Sequence, residues 1–432
     1  MAVEIVDSSM VTAGEATPEH SIWLSNLDLL VARSHTPTVY VYRRTGSDAA
    51  FFSPDVLKAA LSKALVPFYP LAGRLSQDST GRPEISCTGE GVLFVTARSD
   101  TTVDDLGDLA PSDELRRMLV PEADDGVALL AMFQVTFFRC GGVCLGAAIH
   151  HTAADGLAAL DFVNTWAAIA RDVAGDGEDT AVQRPWLDRT LLRSRSPPAV
   201  RFDHAEYSLR RGGGSKLPFD SAILTLSKNQ LNALKGNKKL STFTAVVAHV
   251  WRCACKARGL AGTEAATRLY MTADARSRLH PPLPRGYLGN AIFRASAVAK
   301  VSDIIASGPL GVVAEKVSGA TARLDDEYIR SLLDYLEQTA ASGGAAGMRK
   351  GEWVMPESDL WVISWQGLPL YDADFGWGRP AFMGRACLQF SGLVYLVPGR
   401  DVDGDGRLDV VVAMEPESLA KFKDVFYDEL NC

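Results

Sequence analysis

The sequence changes from a strand-like apolar pattern to a turn within the stretch Gly142-Val-Cys-Leu-Gly-Ala-Ala-Ile-His-His-Thr-Ala-Ala-Asp-Gly156. Its first half is apolar with side chains alternating at period two, which predicts a buried strand ending at His150-His151. A Thr-Ala-Ala-Asp-Gly turn follows, and apolar residues at helical spacing from Leu157 to Trp166 predict a helix. We therefore expect His151 at the end of a rigid core strand, where a general base can be held in position.

The turn itself contains two further candidate residues. Asp155 could orient an imidazole or tie the turn to an arginine, and Gly156 suits a backbone conformation that other residues avoid. A purely structural histidine is the alternative for His151. We predict no metal site, because adjacent histidines on a strand point to opposite faces and no second Cys/His cluster has ligand spacing.

Length and composition limit the class of protein. A chain of 432 residues exceeds what one core usually serves, which predicts two domains. The net charge of −8 argues against nucleic acid as a partner. No apolar run approaches the roughly 18 residues needed to span a membrane, and the N-terminus lacks a secretory signal pattern. Seven scattered cysteines without a glycosylation sequon favour a reduced, cytoplasmic protein.

Strands and helices are interspersed in both halves of the chain, which predicts a mixed α/β fold. The segment Arg210-Arg-Gly-Gly-Gly-Ser215 has the composition of a flexible linker. We therefore place an N-terminal domain at 1–195, a crossover linker at 196–220 and a C-terminal domain at 221–432.

Two other charged patterns favour structural roles. Asp401-Val-Asp-Gly-Asp-Gly406 resembles the start of a calcium loop, but Val412 stands where a bidentate acid is required, so we interpret it as a solvated loop. Arg276 and Arg278 could bind a phosphate or pair with an aspartate such as Asp155 or Asp374. The structural pairing is favoured for at least one of the two.

Two motifs together resemble those of a known enzyme family. His151-Thr-Ala-Ala-Asp155-Gly156 matches the HxxxDG signature, and Asp374-Phe-Gly-Trp-Gly378 the DFGWG signature, of plant BAHD acyl-CoA-dependent acyltransferases. The first alone is weak, because HHxxxDG also occurs in chloramphenicol acetyltransferases and peptide-synthetase condensation domains. Both motifs in this order, with Tyr69–Arg74 and Gly286–Asn290 between the ends, extend the resemblance along nearly the whole chain.

Within that family the chain resembles the hydroxycinnamoyltransferases. Four stretches carry this finer resemblance: Ser34–Arg43, Trp186–Leu192, Val250–Gly259 and Tyr371–Pro380.

The resemblance implies a monomer of two chloramphenicol-acetyltransferase-like domains, each a mixed β-sheet with flanking helices, and an active-site channel between them. Acyl-CoA and a small-molecule acceptor enter from opposite sides, with His151 at the middle. Acyl-CoA is a substrate, so no cofactor is implied. His151 and Asp155 are the predicted catalytic residues, with Asp155 holding the turn by a salt bridge. The predicted structural residues are Gly156, Asp374, Gly376, Trp377, Gly378 and Arg278.

One histidine is sufficient for the implied chemistry. A neutral imidazole removes a proton from an acceptor hydroxyl or amine as it attacks the thioester carbonyl. The protonated His151 then returns the proton to the CoA thiolate, so no covalent acyl-enzyme is needed. A hydrogen-bond donor must stabilise the tetrahedral oxyanion; the sequence does not identify it.

The segment Ser364-Trp-Gln-Gly-Leu-Pro369 bears on the acceptor. In shikimate- and quinate-using relatives the corresponding strand runs into Ser-Trp-X-Arg-Leu-Pro, whose arginine pairs with the acceptor carboxylate. Here Gly367 replaces it, which removes a bidentate clamp. We therefore predict an amine acceptor such as a polyamine, agmatine, tyramine or tryptamine. The alternative is a flexible turn at Gly367 with a cation supplied from elsewhere, and a hydroxyl acceptor such as shikimate, quinate or another alcohol.

Four residues match positions that line the acceptor side in hydroxycinnamoyltransferases: His35, Thr36, Thr38 and Tyr40. Ordinary polar residues of a strand are the alternative. Two other functional classes stay open. A non-catalytic binding relative would show no thioester turnover, and a condensation-type domain would use a carrier-bound donor but not free CoA.

Overall fold

The structure, a computed structural model, describes residues 2–44, 46, 50–122, 128–174, 184–207, 218–236, 240–262, 265–306, 308, 310–341, 355–399, 406–428 and 430. The chain forms two compact units. The first contains Met1–Arg193, Leu283–Ala291 and Leu368–Cys387. The second contains Ser194–Pro282, Ile292–Gly367 and Leu388–Cys432.

This division differs from the predicted one in three places. Residues Leu283–Ala291, predicted in the C-terminal domain, belong to the first unit. Residues 368–387, with the Asp374 motif, belong to the first unit, because Phe382–Arg385 joins that unit's sheet. Residues 196–207 of the predicted linker and 194–195 of the predicted N-terminal domain belong to the second unit, where Arg195 pairs with Asp334. The assignments of 368–387 and 194–207 depend on contacts between distant parts of the chain. Local composition does not indicate such contacts. The linker-like 210–215 lies outside the described residues, as do 401–405 of the calcium-loop-like segment.

The first unit is built on a six-stranded mixed sheet in the order β1-β6-β7-β8-β3-β13, with a small three-stranded sheet β2-β5-β4. Among the described strands of the larger sheet, β6 and β7 pair in parallel and the other neighbours are antiparallel. Its strands are β1 (Glu4–Val11), β2 (Ser21–Trp23), β3 (His35–Tyr42), β4 (Arg74–Gln77), β5 (Pro83–Ser86), β6 (Val92–Ser99), β7 (Ala131–Phe138), β8 (Val143–His150) and β13 (Phe382–Arg385). Its helices are α1 (Asn26–Leu30), α2 (Pro54–Ala64), α3 (Asp113–Leu119) and α4 (Gly156–Ala174).

The second unit has its own six-stranded mixed sheet, in the order β11-β10-β12-β14-β15-β9. Its strands are β9 (Asp220–Leu226), β10 (Ala266–Asp274), β11 (Ile292–Lys300), β12 (Leu360–Ser364), β14 (Leu393–Pro398) and β15 (Leu408–Met414). Its helices are α5 (Lys228–Lys235), α6 (Thr242–Ala257), α7 (Val301–Ile305), α8 (Gly311–Ala322), α9 (Asp326–Ala341) and α10 (Pro416–Asp428). The prediction of two mixed α/β domains is therefore confirmed.

Strand β8 is the most deeply buried strand of the first unit, with all eight residues buried. It pairs antiparallel with β7 on one side and β3 on the other. Gly146 sits where the end of α3 crosses the strand, and a Cβ there would lie 1.7 Å from the Leu119 carbonyl oxygen. Because no side chain fits that approach, the glycine lets α3 pack directly on β8, and the strand delivers His150 and the turn in a fixed place.

Candidate active site

His151 is the first residue after β8. Its backbone N–H donates to the Ser34 carbonyl oxygen at 3.0 Å, which extends the pairing of β8 with the entry to β3. The residue as a whole is partly exposed. Its Nδ1 atom, however, is buried and has no hydrogen-bond partner among the described residues. A substrate can therefore reach the ring only through its other nitrogen, Nε2.

The surroundings of His151 favour a neutral imidazole. Burial lowers the pKa of His151, and the Arg385 guanidinium lowers it further. The residue's own carbonyl, the Asp155 carboxylate and the Asn290 side chain act in the opposite direction, without reversing the shift. The base is therefore deprotonated at neutral pH, as acceptance of a proton requires.

Asp155 is 1% exposed and holds the turn by two backbone contacts. Its Oδ1 accepts from the Ala158 N–H at 3.1 Å, which caps the first turn of α4. Its Oδ2 accepts from the Ala291 N–H at 3.0 Å. Gly156 is the first residue of α4 and its φ is not positive. The prediction of an unusual backbone conformation at this glycine is therefore wrong. The capping carboxylate lets the chain enter the helix directly.

Three buried polar residues that the sequence analysis missed surround the same turn. Asp28 is 0% exposed, Arg189 2% and Asn290 0%. The Ser25-to-Asp28 capping box is a local signal for the first, and the other two lie within stretches that carried the family resemblance. Nothing local indicates that they meet, since Asp28 and Asn290 are 262 positions apart.

The loop Asp374–Gly378, called here the Asp374 loop, is held by its own contacts. Asp374 Oδ1 accepts from the Gly376 and Gly378 N–H groups, each at 2.9 Å. Both glycines have φ near 100°, which other residues rarely adopt. The loop is anchored through Phe375, which is fully buried against Trp166. This arrangement fixes the backbone of the loop.

The acceptor candidates of β3 fall on two faces. Thr36, Thr38 and Tyr40 alternate along one face, whereas His35 points to the other. His35 stands opposite His150 in the β3–β8 register, and their rings pack edge to face at 5.2 Å. Its Nε2 lies 2.8 Å from the Leu129 carbonyl oxygen. His35 thus has a structural environment that the two threonines do not share.

One residue on the face of the threonines went unnoticed in the sequence. Arg385 of β13 stands opposite Thr38 in the β13–β3 register and is 4% exposed. Its charge is the one that lowers the pKa of His151. A buried guanidinium beside the candidate base was not apparent from the sequence, because β13 follows β3 by more than 300 positions.

Two predicted residues belong to the second unit. Gly367 has φ of 80° and nothing within 4 Å of the place where a Cβ would lie. A larger side chain there would have room but a strained backbone. The exposed Arg278 donates from Nε to the Asp274 carbonyl oxygen at 3.0 Å, and Arg276 pairs with the Asp274 carboxylate.

Two features are absent from the described part of the chain. No group of three or more His, Cys, Asp or Glu side chains there could hold a metal ion. No helix there is long and apolar enough to cross a membrane.

Comparison with known families decides the assignment of the chain. A family model described as the Transferase family matches residues 1–429. The chain is a BAHD acyltransferase. The predicted family and the predicted acyltransferase class are therefore confirmed.

Two curated relatives show where this acyltransferase lies within its family. It is 89% identical over the full length of both chains to putrescine hydroxycinnamoyltransferase 1 of Oryza sativa subsp. japonica. It is 43% identical to shikimate O-hydroxycinnamoyltransferase of Nicotiana tabacum, with 99% of this chain and 100% of the relative covered. The narrower resemblance to hydroxycinnamoyltransferases thus extends over the whole chain.

Solved structures share the fold of this BAHD acyltransferase. The crystal structure of vinorine synthase matches with a TM-score of 0.76 at 23% identity, covering 97% of this chain and 96% of that one. The F. graminearum TRI101 structure complexed with coenzyme A and deoxynivalenol matches with a TM-score of 0.78 at 18% identity, covering 94% and 97%. At these identities the likeness is evidence for the fold alone.

Proposed function

We propose that this enzyme transfers a hydroxycinnamoyl group from hydroxycinnamoyl-CoA, such as p-coumaroyl-CoA, to an amine, with putrescine as the preferred acceptor. The observation that carries the proposal is the 89% identity, from end to end, with a putrescine hydroxycinnamoyltransferase. The absence of an arginine at Gly367 supports an acceptor without a carboxylate.

In this proposal His151 is the general base. Its Nε2 takes a proton from the acceptor nitrogen as that nitrogen attacks the thioester carbonyl, forming a tetrahedral oxyanion. Collapse breaks the C–S bond, and the CoA thiolate receives the proton from the imidazolium. Asp155 keeps the turn in place, while Thr36 and Thr38 line the acceptor side. Burial and the Arg385 charge support the step, because both keep the imidazole neutral before reaction.

The acceptor is tested by CoA release from p-coumaroyl-CoA with putrescine, agmatine, tyramine, tryptamine, shikimate and quinate, with products identified by mass. We expect kcat/KM for putrescine to exceed that for shikimate by at least about 100-fold, which is about 2.7 kcal/mol of transition-state discrimination. The product should resist mild alkali, as an amide does and an ester does not.

Preferential turnover of shikimate or quinate would transfer the assignment to O-acylation, for which the 43% identical tobacco relative is the precedent. Absence of CoA release with every acceptor would favour a non-catalytic binding protein.

The pH dependence follows from the lowered pKa of His151. Above that pKa, log(kcat/KM) for putrescine should rise with slope 1, because only the neutral amine attacks and a primary amine has a pKa of about 10.4. Below the pKa of His151, both the amine and the imidazole must lose a proton before they can react. The slope should therefore become 2. We expect the change of slope below the ordinary histidine value of about 6.5, since burial lowers the pKa of His151.

The pH at which the slope changes is measured by stopped assays across pH 4.5 to 8, with KM expressed in terms of total putrescine. Expressed per neutral amine, the same data should be flat above it, which serves as the internal control. A change of slope above pH 6.5 would contradict the proposed environment of the base.

We also propose that the enzyme acts as a monomer in the cytoplasm. In support, the cysteines in the described part of the chain are all free: Cys87, Cys140, Cys144, Cys253, Cys255 and Cys387. Sizing by light scattering and fractionation of the source tissue test the two statements.

A further inference from the structure

Buried side chains hold the carbonyl groups of the turn after His151. Asn290 Nδ2 donates to the His151 carbonyl oxygen at 2.8 Å. Arg189 continues the series, with Nη1 donating to the Thr152 carbonyl at 3.2 Å and Nη2 to the Ala153 carbonyl at 2.7 Å. Three successive carbonyl groups are therefore fixed by two buried side chains.

Both of those side chains are organised by one carboxylate. Asp28 Oδ1 accepts from Arg189 Nη1 at 3.0 Å and from the Asn290 N–H and Nδ2 at 2.7 and 3.1 Å. Its other oxygen accepts from Ser25 N and Oγ at 2.8 and 2.7 Å. A buried charge with this many donors fixes the geometry of its partners, because any displacement leaves it uncompensated.

Asn290 also affects the imidazole, since its side chain contributes to the pKa of His151. Its amide nitrogen is used by Asp28 and the His151 carbonyl, so the amide orientation is determined. Its Oδ1 is buried and has no hydrogen-bond partner within the described residues, which is also true of His151 Nδ1. Asn290 raises the pKa of His151, which an amide oxygen directed at the ring explains.

We propose that Asp28, Arg189 and Asn290 form a positioning relay for His151. Asp28 and Arg189 fix the backbone of the turn, and the Asn290 amide oxygen accepts the Nδ1–H of the ring, leaving Nε2 as the proton acceptor. When Nε2 takes the acceptor's proton, the imidazolium that forms is stabilised by the same oxygen. The proposal rests on the proposed function, in that it assigns the residues that orient its base.

The direct test replaces Asn290 by alanine. We expect kcat to fall about 10- to 100-fold, the range typical when a residue that orients a functional group is lost, with KM for p-coumaroyl-CoA almost unchanged. The change of slope assigned to His151 should move to lower pH, because the contribution that raises its pKa is lost. A purely structural residue would lower the yield of folded enzyme without moving that pH.

A second variant covers the case in which Asn290→Ala does not fold. Asp28→Asn keeps the side-chain size and removes the charge that both partners share. The double variant Asp28→Asn/Arg189→Met removes both members of the ion pair. We expect the double variant to recover folding relative to Asp28→Asn, whereas kcat should stay at least about tenfold below wild type because the Thr152 and Ala153 carbonyls are no longer held.

The control is an ion pair in the second unit between the buried Asp334 and the partly exposed Arg195. Asp334 of α9 accepts from Arg195 Nε at 2.6 Å and from the Arg195 and Ala199 N–H groups at 2.7 and 2.9 Å. Asp334→Asn should lose stability as Asp28→Asn does, while kcat per folded molecule and the pH dependence remain those of wild type.

A readout independent of turnover separates this proposal from the function. NMR of the ring protons, with His151 assigned among the seven histidines by its loss in His151→Gln, gives its pKa directly. A lower His151 pKa in Asn290→Ala, in an enzyme that turns over no acceptor, would uphold the relay and overturn the function. Turnover of putrescine with an unchanged His151 pKa and kcat in Asn290→Ala would overturn the relay alone.

Discussion

Replacement of His151 by alanine should lower kcat with p-coumaroyl-CoA and putrescine by at least about 10³-fold, within the range for loss of a general base. The reason is that the ring is the group that receives the acceptor's proton and returns it to the CoA thiolate. CoA binding, measured by calorimetry, should survive, because the residue follows a strand held by backbone pairing on both sides. The unfolding transition should shift little, since the hydrogen bond proposed between the ring and Asn290 contributes only about 1 kcal/mol.

The matched control is His20→Ala, an exposed histidine whose ring lies edge to face with Tyr69. It should keep wild-type kcat. If His151→Ala retained more than about a tenth of wild-type turnover, the assignment of the base would fall, and the acyltransferase would need another proton acceptor.

Replacement of Asp155 by alanine should cost about 2–4 kcal/mol of unfolding free energy. Loss of the helix cap contributes about 1 kcal/mol and the orphaned Ala291 N–H about 1–3 kcal/mol more. Activity per folded molecule should also fall, because the turn after His151 loses one of its attachments. Chemical denaturation monitored by tryptophan fluorescence, with kcat measured on the folded fraction, gives both quantities.

The asparagine variant separates a structural from a catalytic carboxylate. Asp155→Asn keeps one acceptor oxygen, so we expect kcat to fall by no more than about tenfold. A carboxylate that orients the base directly, as in a serine-hydrolase triad, would cost about 10⁴-fold. Ser241→Ala is the control, because it removes a comparable helix cap from α6 in the second unit. It should lower stability and leave kcat unchanged.

The division of roles around the base has a physical explanation. Asp155 supports the turn through the start of α4, whereas the Asp28 carboxylate supports it through Arg189 and Asn290. Two carboxylates thus stabilise a short segment whose own carbonyls have few backbone partners. A base held this firmly needs no rearrangement before proton transfer, which is the advantage of a preorganised site.

Several features of the site could be predicted from local patterns. Alternating apolar residues and a turn signal placed His151 at the end of β8, and helical spacing placed α4 directly after it. Both depend on neighbours within a few positions, and local periodicity reports burial of one face. The hairpin between β7 and β8 was predictable for the same reason, because Gly141 permits the turn with φ of 80°.

Other features had no local signal. Nothing in the sequence distinguishes Gly146 from other residues of a strand. A glycine is needed there because the Leu119 carbonyl oxygen of α3 lies where a Cβ would be. Nor does the sequence distinguish Arg385, whose position beside Thr38 depends on β13 joining the sheet at its edge. The predicted domain division placed 368–387 with the second domain because it followed chain order, whereas strand pairing follows hydrogen-bond geometry.

The sequence by itself thus determined the family, the two-domain mixed α/β class and the position of the candidate base, because these depend on short motifs and on the period of apolar residues. Tertiary structure alone decided what surrounds that base. Asp28, Arg189 and Asn290 come from three distant segments, and a buried carboxylate, guanidinium and amide acquire a common role only where folding removes water and leaves each as the partner of the others.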